Sequence, residues 1–520
     1  MMNNFPLIDL GIIVIYLIAM VLVGVYFSKK NTSSEAYTKA AGTIPSWAIG
    51  ISLYATFLSS NTFLGVPGKA YGTNWNAFAF SLSMPLAAFI AAKYFVPFYR
   101  KHTTVSAYTN LENRFGTWAR SYAVICFLLT QVARMGSIFF GISLTLQALT
   151  GLDMSLIMLV TGICIVIYTI LGGIEAVIWT EVFQGILLTV GALIVIGTLV
   201  YNIPGGTHTI MDIGLRDDKF SLGSFSLTDF STSTFWVILL YGFFMNLTNF
   251  GMDQNYVQRY HTAPNAKEAA KSVWLCTWLY IPISLLFFVI GVCLYAYYDV
   301  NPDLLSTIKE QTAMERIGSG DANLAAIMGS LTPADYGDKV LPHYMVNHIP
   351  TGILGLIVSA ILAAAMSTIS SGMNASATVF TEDIYKRYIN PNVSDKGNLR
   401  VLLIGTGVFG AIGMFAGIAM IGVQSILDVW WTLSGIFAGG MLGLFLLGIT
   451  NKKVGNSDAM LATIFGIVVI LWMTFSYLLP EEYGFLRNML HANMIIVVGT
   501  IAILLVGNIS QRLRRATSNK

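Results

Sequence analysis

Long apolar runs separated by short polar and charged segments recur along almost the whole chain. A helix needs about 20 apolar residues to cross a bilayer. On that measure the pattern predicts thirteen membrane-spanning helices, near residues 8–28, 45–71, 75–98, 118–150, 153–171, 175–201, 234–258, 272–298, 350–380, 401–422, 426–449, 458–479 and 490–508. Two longer polar segments, about 202–233 and 299–349, interrupt the series. The second carries Asp303, Glu310, Glu315, Asp321, Asp335 and Asp338 and is expected to hold short helices over one mouth of the bundle. The first run is expected to be a retained helix rather than a cleaved signal, because "MMNNFPLID" has no basic n-region and Lys29 and Lys30 follow the apolar stretch.

Basic residues orient this ladder, since short inner loops of membrane proteins are enriched in Lys and Arg. With an outside N-terminus, the outer segments hold only Arg216, Lys219, Lys309, Arg316, Lys339 and Arg487. Twenty others, from Lys29, Lys30 and Lys39 through Arg259, Lys267 and Lys271 to Arg515 and Lys520, fall in inner segments or at inner helix ends. Dropping or adding an early span would scramble that bias. The expected arrangement is therefore an odd number of spans, with the N-terminus outside and the C-terminus cytoplasmic.

The pattern breaks at two places. In 45–71, "ATFLSSNTFLGVPGKAYG" puts Thr56, Ser59, Ser60, Asn61 and Thr62 mid-span, followed by Gly65, Pro67 and Gly68. In 234–258, "FFMNLTNFGMDQN" does the same with Asn246, Thr248, Asn249, Gly251, Asp253, Gln254 and Asn255. Irregular backbone survives at membrane depth only where it is buried in protein or lines a cavity. Interrupted helices at matching positions of two halves point to the central site of a transporter. These are the second and seventh spans, so two inverted five-helix repeats are expected: 45–201 and, after the outer loop 202–233, 234–450 with its own loop 299–349. Residues 1–44 then form an extra helix and cytoplasmic link, and 451–520 two further helices and a basic tail. Helix–helix packing is the competing account of each hydroxyl taken singly.

A third segment, "SAILAAAMSTISSGMN" at 359–374, places Ser367, Thr368, Ser370 and Ser371 within five positions of an apolar helix. Ser367, Ser370 and Ser371 stand at i, i+3 and i+4 and share a face. Close packing requires small residues such as Ala363, Ala364 and Ala365, not four hydroxyls. Hydroxyl oxygens can replace the water shell of an alkali cation, and the broken second span offers backbone carbonyls at a similar depth. A sodium site fits this pattern.

Ionisable residues inside spans are functional by default. Arg134 lies mid-way along the fourth span, Glu181 in the inner half of the sixth, and Asp428 near the start of the eleventh. Glu181 could reach the hydroxyl cluster as a sodium ligand or serve as a structural hydrogen-bond partner, and Asp428 reads as structural. Arg134 has no carboxylate on its own helix; it is expected to meet an anionic substrate, or else backbone carbonyls or Glu181.

Composition narrows the class without changing the picture. The chain is 55% hydrophobic and 11% charged, against about 25% charged in soluble domains. This marks an integral protein whose principal surroundings are the lipid bilayer. A net charge of +3 gives no footprint for nucleic acid. Cys126, Cys164, Cys276 and Cys293 fall in apolar runs without metal-type spacing and read as buried thiols. No nucleophile–base cluster or HExxH-type ligand pattern appears, so an enzyme is not expected.

With their neighbours, these residues resemble the sodium/solute symporter family. The motifs that carry the resemblance are "ATFLSSNTFLGVPGKAYG", "FVPFYRK", "YTILGGIEAVIWTEVFQG", "DQNYVQRY" and "AAAMSTISSGMNASATVFTEDIYKR", over roughly residues 45–390. The resemblance implies an all-α membrane fold with a five-plus-five inverted-repeat, leucine-transporter-type core and sodium-coupled alternating access. It also implies a primary sodium site from the carbonyls of Ala55 and Leu58 with the hydroxyls of Ser367, Ser370 and Ser371. Within the family the likeness is to bacterial sialic acid symporters, which implies a multi-pass monomer in the inner membrane of a bacterium. There, an Arg matching Arg134 binds the substrate carboxylate. A second sodium site matches Glu181, Ser367, Thr368 and Ser370.

The substrate pocket so implied comprises Phe57, Ser59, Ser60, Thr62, Ala77, Ser81, Arg134 and Asn246. Ser59, Thr62 and Asn246 are retained from the relatives. Phe57, Ala77 and Ser81 replace a Thr, an aromatic residue and a Gln, and Glu181 replaces an Asp one methylene shorter. The expected substrate is a small organic anion, a carboxylated sugar such as sialic acid (N-acetylneuraminate). A neutral sugar, a monocarboxylate or a vitamin carried by the same fold is the alternative, and a sodium-gated channel or sensor is a different class with the same spans.

Overall fold

Within hydrocarbon every backbone N–H and C=O must be satisfied inside the segment, so the apolar runs become helices. The computed structural model describes residues 6–29, 33–101, 104–317, 324–422 and 426–518, and among them there is no strand. Lys30, Asp321 and Lys520, used in the charge and loop arguments, lie outside the described residues.

The principal helices are α1 (Leu7–Ser28), α2 (Ser46–Phe57), α3 (Ser60–Gly72), α4 (Trp75–Lys101), α5 (Thr117–Thr150), α6 (Met154–Asn202), α7 (Phe235–Met252) and α8 (Gln254–Thr262). They continue as α9 (Ala266–Val300), α10 (Pro333–His348), α11 (Ile353–Ile389), α12 (Asp395–Ala419), α13 (Ile426–Thr450), α14 (Asn456–Phe475) and α15 (Met494–Ser518). Among the described residues eleven helices are long and apolar enough to cross a membrane, or twelve if the bent pair α2–α3 is one span. The chain is thus a multi-pass membrane protein.

At about 1.5 Å per residue, the 49 residues of α6 exceed twice the roughly 30 Å hydrocarbon thickness. Gly173 interrupts the helix with φ 57° and ψ −167°, a conformation open to glycine because it lacks Cβ. The break divides α6 into the stretches expected as separate spans at 153–171 and 175–201. The segment 299–349 contains, as expected, short helices, Pro302–Ile317, Leu324–Ser330 and α10.

Both expected interruptions are present. α2 ends where Leu58 (φ −90°, ψ 119°) and Ser59 (φ −124°, ψ 177°) turn extended, and α3 leaves at an angle of 53°. The break therefore precedes the Gly65–Pro67–Gly68 stretch, which lies inside α3. Glycine serves close packing there: a Cβ at Gly68 would come within 2.8 Å of the Gly337 carbonyl on α10. α7 gives way to α8 at Asp253 (φ −79°, ψ 119°), whose carboxylate caps α8 by accepting from the Asn255 N–H at 2.8 Å.

α11 lies at the centre, packed against α6, α12 and α5, and is buried on every face from Val358 to Val379. α1, by contrast, exposes Leu7, Ile15 and Leu22. A helix apolar all round and buried belongs in the middle of a bundle. The four-hydroxyl helix is thus held against both broken segments.

Candidate functional site

The break between α2 and α3 opens onto a cavity with about 70 Å³ of free space. Phe57, Ser59, Thr62, Ala77, Ser81 and Arg134, all assigned to the pocket from sequence, line it. Ser60 and Asn246 do not: Ser60 Oγ donates to the Ile138 carbonyl at 3.2 Å, and Asn246 Nδ2 donates to Ser83 Oγ at 3.2 Å. Their helical neighbours face the cavity instead, Asn61 from α3 and Asn249 from α7. The polar breaks signalled these segments, but helical phase decided which amide points inward.

Much of the remaining wall is aromatic. Phe80, Tyr241, Tyr280, Phe288, Trp430 and Trp431 come from four helices distant in sequence, and no linear pattern marks them. Phe57 closes one end, with ring centroids 4.7 Å from Tyr256, 5.4 Å from Tyr280 and 5.5 Å from Phe250. At the other end Leu427 of α13 packs 3.3 Å from the position a Gly65 Cβ would take. Just beyond, Lys69 Nζ donates to Asp428 at 2.8 Å, joining α3 to α13. Asp428, read as structural, is thus half of an ion pair next to the Leu427 contact.

Polar groups inside the cavity are partly committed. Asn61 Nδ2 donates to Ser137 Oγ at 2.8 Å, while Asn61 Oδ1, fully buried, has no hydrogen-bond partner. Ser81 and Ser284 share a hydrogen bond of 2.7 Å. Arg134 sits with its guanidinium carbon 5.3 Å from the Trp430 ring centroid. Its Nη1 reaches Asp253 Oδ2 and its Nη2 the Tyr256 hydroxyl, each at 3.5 Å. A carboxylate does face Arg134, then; it is Asp253, not Glu181.

Beside the cavity, α11 meets the end of α2. Ser367 Oγ lies 3.2 Å from the Ala55 carbonyl and Thr368 Oγ1 lies 3.4 Å from the Leu58 carbonyl. Both hydroxyls also donate to the Ala364 carbonyl of their own helix, at 2.9 and 3.3 Å, so two hydroxyls shared in this way stand beside two carbonyls freed by the helix break, all hard oxygen donors suited to an alkali cation. Among the described residues no group of three His, Cys, Asp or Glu could hold a metal. Ser370 and Ser371 turn elsewhere: Ser370 Oγ donates to the Ser367 carbonyl at 3.1 Å, and Ser371 Oγ donates to Glu181.

Glu181 is fully engaged. Arg259 Nη2 donates to both of its oxygens at 2.7 Å, Thr56 Oγ1 donates at 3.2 Å, and Ser52 donates as well. Arg259 also donates to Ser52 and Ser371. Its side chain is 1% exposed and that of Glu181 0%. Arg259, counted from sequence among the inner-side charges, is therefore not an exposed loop cation: α8 follows the break at Asp253, and the buried carboxylate holds its guanidinium in the bundle.

The sodium:solute symporter family model matches residues 37–466. A sodium/sialic acid symporter of Proteus mirabilis is 33% identical over 515 residues, 98% of this chain and 96% of that protein. Another from Aliivibrio fischeri is 32% identical over 487 residues, covering 93% and 90%. A sodium/glucose cotransporter of Vibrio parahaemolyticus is 25% identical, covering 95% and 90%. A solved structure, described as the substrate-bound outward-open state of a Na+-coupled sialic acid symporter with a novel Na+ site, superposes with a TM-score of 0.83 at 31% identity over 98% of both chains. Its relatives are transporters, and so is this protein; the chain belongs to the sodium:solute symporter family.

Proposed function

We propose that this protein imports a carboxylated sugar of the sialic acid type, driven by sodium, through alternating access about the α2–α3 and α7–α8 breaks. The observation that carries the reading is Arg134. It is a buried guanidinium in the wall of the cavity that the α2–α3 break opens onto. A guanidinium stays charged and matches a carboxylate with two parallel hydrogen bonds. Relatives with the same covering length are named for sodium and sialic acid, which supports the same substrate class here. Pockets for small organic molecules run about 300–1,000 Å³, so 70 Å³ must widen to admit such a sugar. The Lys69–Asp428 pair and the Phe57 cluster are the contacts that have to part.

The coupling ion is assigned to the Ala55 and Leu58 carbonyls with Ser367 and Thr368. Ser370 and Ser371 join it only if they rotate from their present partners. Glu181, with Ser367, Thr368 and Ser370, forms a second sodium site only if Arg259 withdraws. The full arrangement proposed is thirteen spans, counting α6 as two and α2–α3 as one, with a five-plus-five core. The protein is a monomer in a bacterial inner membrane, N-terminus outside and C-terminus cytoplasmic. Cysteine labelling of the two ends from one side tests this: opposite accessibility is expected, and equal accessibility rejects the count.

The deciding experiment is uptake of N-acetylneuraminate into proteoliposomes with and without an inward sodium gradient. Accumulation above the external concentration only with the gradient is expected; equilibration without accumulation would indicate a channel. One observation favours a second reading, transport of a neutral sugar: Asp253 already stands near Arg134 and could be its permanent counter-ion. Equal transport of the acid and its methyl ester would select that alternative.

A further inference from the structure

Arg134 forms part of the wall between two cavities. One is the aromatic pocket just described; the other is smaller and lined by Phe127, Thr130, Thr248 and Asp253. Asn249 and Trp430 border both, as Arg134 does. Asp253 lies one helical turn beyond Asn249, at the break that ends α7. It lines the second cavity and not the first.

Its position is fixed by its own chain. Oδ1 accepts from the Asn255 N–H at 2.8 Å and from Asn255 Nδ2 at 2.7 Å. Oδ2 takes only long contacts, 3.4 Å from Gln131 Nε2 and 3.5 Å from Arg134 Nη1. A charge-assisted N–H···O bond runs about 2.7–2.9 Å and pairs of them are the strong form. The Arg134–Asp253 contact is therefore close enough to balance a buried cation and too long to fill its fork of donors.

We infer that Asp253 is the internal stand-in for the substrate carboxylate, holding Arg134 during the substrate-free half of the cycle and taking it back as the substrate leaves. The inference rests on the proposed binding of a carboxylate by Arg134. A guanidinium cannot shed its proton, and an unpaired buried charge is strongly unfavourable. A carrier that binds its substrate through a buried Arg must hold that charge again on every return. Asp253 does this without moving, by accepting a guanidinium that swings a short way toward the second cavity. Because its grip is weak, an incoming carboxylate with two short hydrogen bonds displaces it.

The test is Asp253→Asn in the full-length protein, since Asn retains the cap of α8. Equilibrium binding of N-acetylneuraminate is expected to tighten by roughly 3- to 10-fold, the removal of a weak competitor. Net sodium-driven uptake should fall, while exchange against substrate inside the vesicle, which bypasses the substrate-free return, should be retained. Unchanged affinity with an unchanged ratio of net uptake to exchange overturns the inference. So does loss of binding in a folded variant that still responds to sodium, which marks Asp253 as a permanent counter-ion. If Asn is not tolerated, Asp253→Ser removes the charge and keeps a capping oxygen, and the same outcomes apply. Arg134→Lys separates the two readings: if it leaves binding of the acid unchanged in the Asp253 background, Arg134 does not bind the carboxylate and the failure lies with the substrate reading.

Discussion

Arg259 and Glu181 form a buried ion pair in which one guanidinium nitrogen reaches both carboxylate oxygens at 2.7 Å, tying α8 to α6 beneath the first helix break. Removing one partner of such a pair leaves an uncompensated charge, at about 3–5 kcal/mol. Arg259→Ala and Glu181→Ala are each expected to lower the thermal midpoint in detergent markedly. Glu181→Leu with Arg259→Met should recover most of the loss, because no charge is then stranded. A double variant no more stable than the singles would show that the pair does not hold these helices together.

The sodium assignment separates the four hydroxyls of α11. Ser367→Ala and Thr368→Val each remove an oxygen beside the freed carbonyls and should raise the sodium concentration for half-maximal uptake several-fold. Ser371→Ala removes an oxygen bound to Glu181 and Arg259, so its main effect is expected on thermal stability. If Ser371→Ala shifts sodium dependence as strongly as Ser367→Ala, Ser371 reaches the ion during the cycle, as the family resemblance implies.

For the substrate, Arg134→Lys should weaken binding of N-acetylneuraminate by about 1.5–3 kcal/mol, the scale of a hydrogen bond to a charged group. Lys presents a point charge and cannot reproduce the planar fork. Methyl esterification should cost the unmodified protein far more affinity than it costs the Lys variant. Equal losses in both would mean the carboxylate is bound elsewhere.

Next to the Leu427 contact that borders the cavity, Lys69 and Asp428 are partly exposed, with side chains 29% and 45% accessible, so their pairing contributes modestly. Lys69→Ala or Asp428→Ala should speed modification of a cysteine placed at Ser81 by an impermeant thiol reagent, by roughly 1.5- to 5-fold, matching about 0.2–1 kcal/mol for such a pair. The charge-reversed double variant, Lys69→Asp with Asp428→Lys, should bring the rate back. A rate unaffected by either single change would place the closure in the Leu427–Gly65 contact instead.

Much of this protein was legible from its sequence, for a physical reason. Hydrocarbon imposes length, apolarity and internal hydrogen bonding on each span separately, so the helices could be read one at a time. The polar breaks near Ser59 and Asp253, the four hydroxyls of α11 and the buried Arg134 were visible as local exceptions to that rule. What the sequence could not determine depends on which residues of different helices meet. Ser371 and Ser367 share a face, yet one reaches Glu181 and the other the Ala55 carbonyl, because they stand a helical turn apart and meet different neighbours across the packed interface. Asn61 and Asn249 enter the cavity while Ser60 and Asn246 do not, a matter of helical phase set by packing. Arg259 looked like an inner-loop cation until the turn at Asp253 carried it to Glu181. The aromatic wall comes from α4, α7, α9 and α13, and only the tertiary fold brings those helices around one space.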